Sequence, residues 1–414
     1  MSSDTSQPSA KPLSRFEQIA LAAIVGLSVA NAYYIHPIVS EVALTFGVGA
    51  GEIGIVPALN QVALAVGILF LLPLGDRYGN RRLTTIFATF QAVCLLMMAL
   101  AQSFALFTLA STVLGVVTIA PYLLPTYASK RTPPDQLGRI TAIITTGMLF
   151  GILFARVGAG VIAEYLGWQQ VYFLAGGVMA VLAVSLRFLM RGREQQTGVD
   201  SGDHAPGEGA QSYFALLGSL WPLMRQYPHA ILSGCIQALN FGMFIALWLG
   251  LALHLTSPEM GYSVDVVGFL ALTAALSMIT TPRLGVVADR LGAERARLFL
   301  SLVQVGAVAL LIPFGNNLFL LLIPIILNGM AGPVLDVSGR MTILRVAPAI
   351  RTRLMTIYVV IMFSGGGIAS LMATTAYEAA GWYGIAGIAG AFALGCALLS
   401  ALALKTSAAK ANLN

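Results

Sequence analysis

Read from its first residue, the chain is a succession of apolar blocks, each closed by a short polar stretch. The blocks fall at 16–36, 53–73, 83–101, 104–126, 140–163 and 169–189, then at 230–253, 265–282, 297–314, 318–338, 354–375 and 382–404. Each is close to the roughly 20 residues that a helix needs to cross a hydrocarbon layer about 30 Å thick. In lipid, a lone segment satisfies its backbone hydrogen bonds only as a helix. The pattern therefore predicts an all-α membrane protein with twelve transmembrane helices.

A polar stretch rich in Gly, Gln, Asp and Glu separates the sixth block from the seventh, the composition of a solvated linker. The expected organisation is a tail at 1–15, a six-helix half at 16–190, a linker at 191–213, a second six-helix half at 214–405 and a tail at 406–414. The halves repeat one another at a nearly constant offset. Asp76-Arg77-Tyr78-Gly79 answers Asp289-Arg290-Leu291-Gly292, Arg139 answers Arg353, and Glu164-x-x-Gly167-Trp168 answers Glu378-x-x-Gly381-Trp382. With an even number of crossings per half, both copies enter the membrane in the same sense, which makes them parallel repeats about an axis along the membrane normal.

Composition agrees: 57% of the 414 residues are hydrophobic, 10% are charged, and mean hydropathy is +0.84. The charges matter for their placement. Lys11 and Arg15, Arg77, Arg81 and Arg82, Lys130, Arg131 and Arg139, and Arg187, Arg191, Arg193 and Arg225 fall at alternate connections. Arg283, Arg290, Arg295 and Arg297, then Arg345, Arg351 and Arg353, then Lys405 and Lys410 continue the series. Connections on the other side carry only acids: Glu41, Glu52, Glu164, Glu259, Asp265 and Glu378. Basic residues are retained on the cytoplasmic side, so both termini are expected in the cytoplasm. The net charge of +6 then reflects topology, and no nucleic-acid partner is implied. The first block is too long for a signal-peptide core and lacks a small-residue cleavage site, so it is expected to remain in the protein.

The stretch Leu72-Pro-Leu-Gly-Asp76-Arg77-Tyr-Gly79-Asn-Arg81-Arg82 resembles the Gly-x-x-x-Asp-Arg-x-Gly-Arg-Lys/Arg signature of the major facilitator superfamily. Gly285-Val-Val-Ala-Asp289-Arg290-Leu-Gly292-Ala-Glu294-Arg295 is a second copy that keeps the leading glycine; the first has Leu72 there, and Asn80 where the family usually has arginine. Ala30-Asn31-Ala-Tyr33-Tyr34-Ile-His36-Pro37 is similar to the bacterial proton-coupled drug and metabolite exporters of that family. The resemblance covers essentially the whole chain. It implies alternating access, with Asp76, Arg77, Gly79, Arg81, Asp289, Arg290 and Gly292 forming conformational latches through charge-assisted bonds at helix ends. The fifth block carries a worn form of the antiporter glycine ladder, Gly147-x-x-x-Gly151-x-x-x-Ala155-Arg156-Val-Gly158-Ala-Gly160, with Arg156 at the proline position.

Arg156, Asp336 and Arg340 lie well inside the predicted spans, where an ionisable group costs a few kcal/mol or more and normally faces a cavity. Asp336 and Arg340 are four residues apart on one helix face, which allows an ion pair. Asp336, as the intramembrane carboxylate, is the first candidate for proton coupling, with Arg340 as its partner and His36 as a titratable alternative placed at the outer end of the first span. Arg156 has no acid near it in sequence and needs either a partner from another helix or an anionic group of the substrate; the excess positive charge among the three points to the second. Asn31, Tyr33, Asn240 and Trp248 join it as candidate substrate contacts, and Gln61, Gln237, Asn328 and Tyr358 as further cavity positions, although each is individually as consistent with helix packing.

No lysine follows a glycine as a phosphate-cradling loop requires, which excludes an ATP-driven pump of that type. The glycines at 158 and 160 lie within a membrane helix with no preceding strand and do not form a dinucleotide fingerprint. The histidines show no metal-ligand spacing, and Cys94, Cys235 and Cys396 are scattered through the spans as packing residues. The expectation is a monomeric secondary transporter without a cofactor and not an enzyme. Its expected partners are a small molecule, anionic where Arg156 contacts it, together with protons and the lipid bilayer. Proton-coupled efflux leads, proton-coupled uptake of an organic anion is the alternative, and a non-transporting sensor on the same fold is the reading from another class.

Overall fold

In the computed structural model the described residues are 13–76, 78, 80–129, 131–132, 136–189, 217–344 and 348–411, and they are helical with short connections. Ten helical stretches are long and apolar enough to span a membrane. One of them, 350–406, breaks at Ala380 and Gly381 into two passes, and the eighth pass is a pair of helices, Val264–Leu270 and Thr273–Leu291. Together these make the twelve crossings expected. Phe16, Leu44, Phe154, Val181, Phe319 and Leu398 are well exposed, as a surface solvated by lipid requires.

Two passes are interrupted near their middle. The first consists of Arg15–Ala30 and Ile35–Phe46, joined by a turn at 31–34 in which Tyr33 N–H donates to Ala30 O at 2.9 Å. Pro37 has no N–H for the carbonyl of Tyr33, and its ring crowds that carbonyl, which breaks the helix there. The expected end of the first span at residue 36 is thus corrected. The pass runs on to Phe46 and Gly47, whose φ of +66° closes it, and His36 lies in mid-pass, not at its outer end.

The fourth pass breaks between Phe104–Val117 and Ala120–Ser129. Pro121 cannot bond to Val117 O; Gln91 Nε2 from the third pass donates to it at 3.0 Å instead. The other end of the same amide, Gln91 Oε1, accepts from Asn31 Nδ2 at 2.9 Å, so one buried side chain ties the two interruptions together.

The halves meet where the second pass packs on the eleventh, the fifth on the eighth and the later part of the first on the seventh. Glycines permit the closest approaches. A Cβ on Gly160 would lie 2.8 Å from Val264 O, and one on Gly268 would lie 2.9 Å from Arg156 O. Within the first half, Gly26 of the first pass lies against Gly147 and Gly151 of the fifth, which accounts for that part of the glycine ladder.

Hydrogen bonds join the halves at the acidic end of the bundle. Gly51 N–H donates to Glu378 at 3.1 Å, Val264 N–H to Glu164 at 3.0 Å, and Ser370 Oγ to Gly54 O at 2.9 Å. The repeated Glu-x-x-Gly-Trp units make two of these bonds. In each, the glycine takes a positive φ, +89° at Gly167 and +57° at Gly381, to turn from one pass into the next. The following indole anchors the turn, Trp168 to Thr45 Oγ1 at 2.9 Å and Trp382 to Leu311 O at 2.7 Å.

Of the expected latch residues, Arg77 and Gly79 lie outside the described residues, as do the side chains of Asp76 and Asp289 and the linker at 191–213. Asp289 and Arg290 belong to the last turn of the helix Thr273–Leu291, which runs past the expected end of that span at residue 282. Gly292, at φ +87°, alone connects that helix to the next.

Candidate functional site

Arg156 sits on the fifth pass, 2% exposed, and donates from its NH2 nitrogen to His36 Nδ1 at 2.9 Å. Three rings surround the guanidinium. Its central carbon lies 4.1 Å from the centroid of Trp248, 4.7 Å from Phe244 and 5.4 Å from Tyr33. Tyr33 also packs edge-on to His36 at 5.2 Å. Each cation–π contact contributes about 0.5–2 kcal/mol, the upper value for desolvated sites, and together they offset part of the penalty for burying the charge.

They do not neutralise it: among the described residues no carboxylate lies within ion-pair distance of Arg156. Because His36 Nδ1 accepts, the ring hydrogen of the neutral imidazole is on Nε2. That nitrogen and Arg156 Nε are both buried without a hydrogen-bond partner. A buried donor left unpaired costs about 1–3 kcal/mol, and this cluster carries two of them beside one permanent positive charge.

The break in the first pass is what assembles this cluster. It places Tyr33 and His36 on the fifth-pass arginine, while the seventh pass of the other half supplies Phe244 and Trp248. Of the sequence candidates, Arg156, His36, Tyr33 and Trp248 come together here. Phe244 was not singled out, although Phe241, Phe244 and Trp248 recur at helical spacing on one face.

Asn31 and Asn240 are engaged elsewhere. Asn31 binds Gln91, whereas Asn240 donates to Gln237 Oε1 at 3.0 Å and Gly332 O at 3.1 Å and accepts from Gln304 at 2.8 Å, joining the seventh, ninth and tenth passes.

A second charged centre lies on the tenth pass. Arg340 Nε reaches both oxygens of Asp336, at 3.1 and 3.0 Å, realising the ion pair that the four-residue spacing allows. Tyr358 of the eleventh pass donates its hydroxyl to Asp336 Oδ1 at 2.8 Å, and Arg340 lies 5.4 Å from the same ring. The pair remains partly open, with Arg340 35% and Asp336 24% exposed.

One buried charge went unrecognised in the sequence. Arg297 was assigned to the basic end of a span, yet it is 2% exposed and donates to Ser233 Oγ at 2.9 Å. Its place at a predicted span boundary concealed it, since the ninth pass begins four residues earlier, at Ala293.

A twelve-pass helical bundle in two repeated halves, with a charged cluster contributed by both, is the architecture of a membrane transporter. The sequence pattern of the Major Facilitator Superfamily matches residues 21–316 and again 232–414, and the chain belongs to that family. It is 30% identical over 368 residues to the uncharacterized transporter YgaY of Escherichia coli O157:H7, covering 89% of this chain and 90% of that protein. It is 26% identical over 264 residues to the multidrug resistance protein MdtG of Serratia proteamaculans, covering 63% of this chain and 60% of that one. Among solved structures, a bacterial homologue of the human lysosomal transporter Spinster, inward-facing and occupied, superposes with a TM-score of 0.74 at 15% identity, covering 94% of this chain and 97% of that one. The nucleoside transporter NupG superposes at 0.72 with 15% identity, covering 93% and 98%. At such identities these two structures speak for the fold.

Proposed function

We propose that this transporter is a proton-coupled secondary carrier of the bacterial inner membrane that moves a small organic molecule bearing an anionic group. The observation that carries the reading is Arg156, a buried guanidinium ringed by aromatic groups, with vacant donors beside it and no carboxylate partner among the described residues. A carboxylate or similar group supplies the missing charge and acceptors, and arginine binds it in a planar, two-point manner.

Protons enter through Asp336. Protonation abolishes its attraction for Arg340, so the pair and its bond to Tyr358 form a charge-dependent tie between the tenth and eleventh passes. The acidic end faces outward and the termini face the cytoplasm, by the distribution of basic residues. The bonds across the acidic end then correspond to a closed outer gate, and the protein works as a monomer by rocking its halves about the Arg156 cluster.

Export is the direction suggested by the names of the multidrug resistance relatives and by the first-pass resemblance. Uptake is the second reading, favoured by arginine at the proline position of the glycine ladder.

A pH-sensitive dye in energised everted vesicles tests both. Proton release from the lumen on adding an organic anion outside identifies exchange; proton loss from vesicles preloaded with the anion identifies co-transport. Organic cations are expected to be silent. A response to cations alone, or a response undiminished in Asp336→Asn, overturns the proposal.

A further inference from the structure

Aromatic rings lead away from Arg156 across the interface between the halves. On the seventh pass, Trp248 and Phe244 lie 6.4 Å apart at 62°, and Phe244 and Phe241 lie 5.9 Å apart at 22°. Phe363 of the eleventh pass meets Phe241 at 5.4 Å and 87°, and Tyr122 of the fourth pass meets Phe363 at 6.1 Å and 88°, which returns the series to the first half. Phe241, Phe244 and Tyr122 are only half-buried. Phe363 and Tyr358 share the eleventh pass and one apolar cluster against which Tyr122 packs, and Tyr358 donates to Asp336, which links the series to the second charged centre.

The head of this ladder carries the two vacant donors, Arg156 Nε and His36 Nε2. Its foot carries Asp336, whose charge is matched by Arg340. The series thus accepts one negative group at one end and offers ring faces and edges along its length, while Arg340 at the other end, already matched by Asp336, leaves no second unpaired cation there for a further anionic group.

Building on the anion reading above, we propose that the substrate is a planar aromatic monocarboxylate, its carboxylate on Arg156 and His36 and its ring among Phe244, Phe241 and Trp248. Aromatic rings prefer offset or edge-to-face partners at centroid separations of about 4.5–7 Å, an attraction that a saturated ring of the same size does not make. The spacings along the ladder lie in that range, so an added aromatic ring would extend a pattern of contacts already present.

The test is calorimetric titration of the purified full-length protein in nanodiscs with 2-naphthoate, its saturated analogue decahydro-2-naphthoate, and 2-naphthylmethylammonium. Naphthoate is expected to bind about tenfold more tightly than the saturated acid, the advantage of one or two ring contacts, and the ammonium is expected not to bind. Phe244→Leu is expected to bring the two acids to within about threefold of each other by weakening naphthoate alone. Equal affinity of the two acids in the wild-type protein overturns the aromatic assignment and leaves the anion reading standing. Binding of the ammonium as tightly as naphthoate, or of none of the three at millimolar concentration, overturns both.

Discussion

Glu164 at the end of the fifth pass and Glu378 at the end of the eleventh make the same contact in opposite directions. Each accepts a backbone N–H at the start of a helix in the other half, Val264 at 3.0 Å and Gly51 at 3.1 Å. The repeat therefore produces a reciprocal clasp at the acidic end. A carboxylate at a helix start gains both from the hydrogen bond and from the helix dipole, about 1–2 kcal/mol per contact.

Glu164→Ala and Glu378→Ala each remove one side of the clasp and shift the population toward an open acidic end by about 5- to 30-fold. Spin labels at the exposed positions Tyr165 and Pro258 report the change as a longer distance component. Unchanged distance distributions in the double variant mean that the clasp does not hold the gate.

The fifth and eighth passes cross at Gly160 and Gly268, with no room for a side chain between the backbones. Gly268→Leu is expected to hold the acidic end apart and abolish transport, while helix content and yield stay near wild type. Wild-type transport by this variant argues that the crossing does not close during the cycle.

Arg156→Lys retains the charge but loses the flat surface that three rings cover and the geometry that reaches His36. Substrate affinity is expected to fall by about tenfold or more, with protein yield intact. An unchanged dissociation constant removes Arg156 from the site.

Asp336→Asn leaves Arg340 without its counter-charge and is expected to uncouple the protein. Substrate exchange between equal pH compartments should persist, while accumulation driven by a pH gradient should be lost. Gradient-driven accumulation at the wild-type level places the proton elsewhere, with His36 the next position to test.

Gln91→Leu leaves Asn31 and the carbonyl of Val117 buried without partners, at about 1–3 kcal/mol for each. The expected outcome is a lower melting temperature in detergent and impaired transport. A melting temperature equal to wild type indicates that water takes over both bonds.

Much of this protein was legible from the chain alone, because a bilayer imposes a simple rule. Segments of about 20 apolar residues must become helices, and basic residues mark one side. The twelve passes, the repeat and the Asp336–Arg340 pair follow from such local patterns, the last because a helix places residues four apart side by side. The same locality misled at the first interruption, where the span was ended at residue 36. Pro37 and Pro121 break helices, but whether the chain then leaves the membrane or continues depends on partners for the freed carbonyls. Gln91, on another pass, supplies that partner for Val117.

Only the tertiary structure decided that His36 faces Arg156, 120 residues away, and that Phe244 and Trp248 of the other half complete the cluster. It likewise decided that the two Glu-x-x-Gly-Trp units clasp each other's halves. Sequence spacing governs contacts within one helix. Contacts between helices depend on how glycines let passes approach and how each helix is rotated about its axis, and those are settled when all twelve pack together.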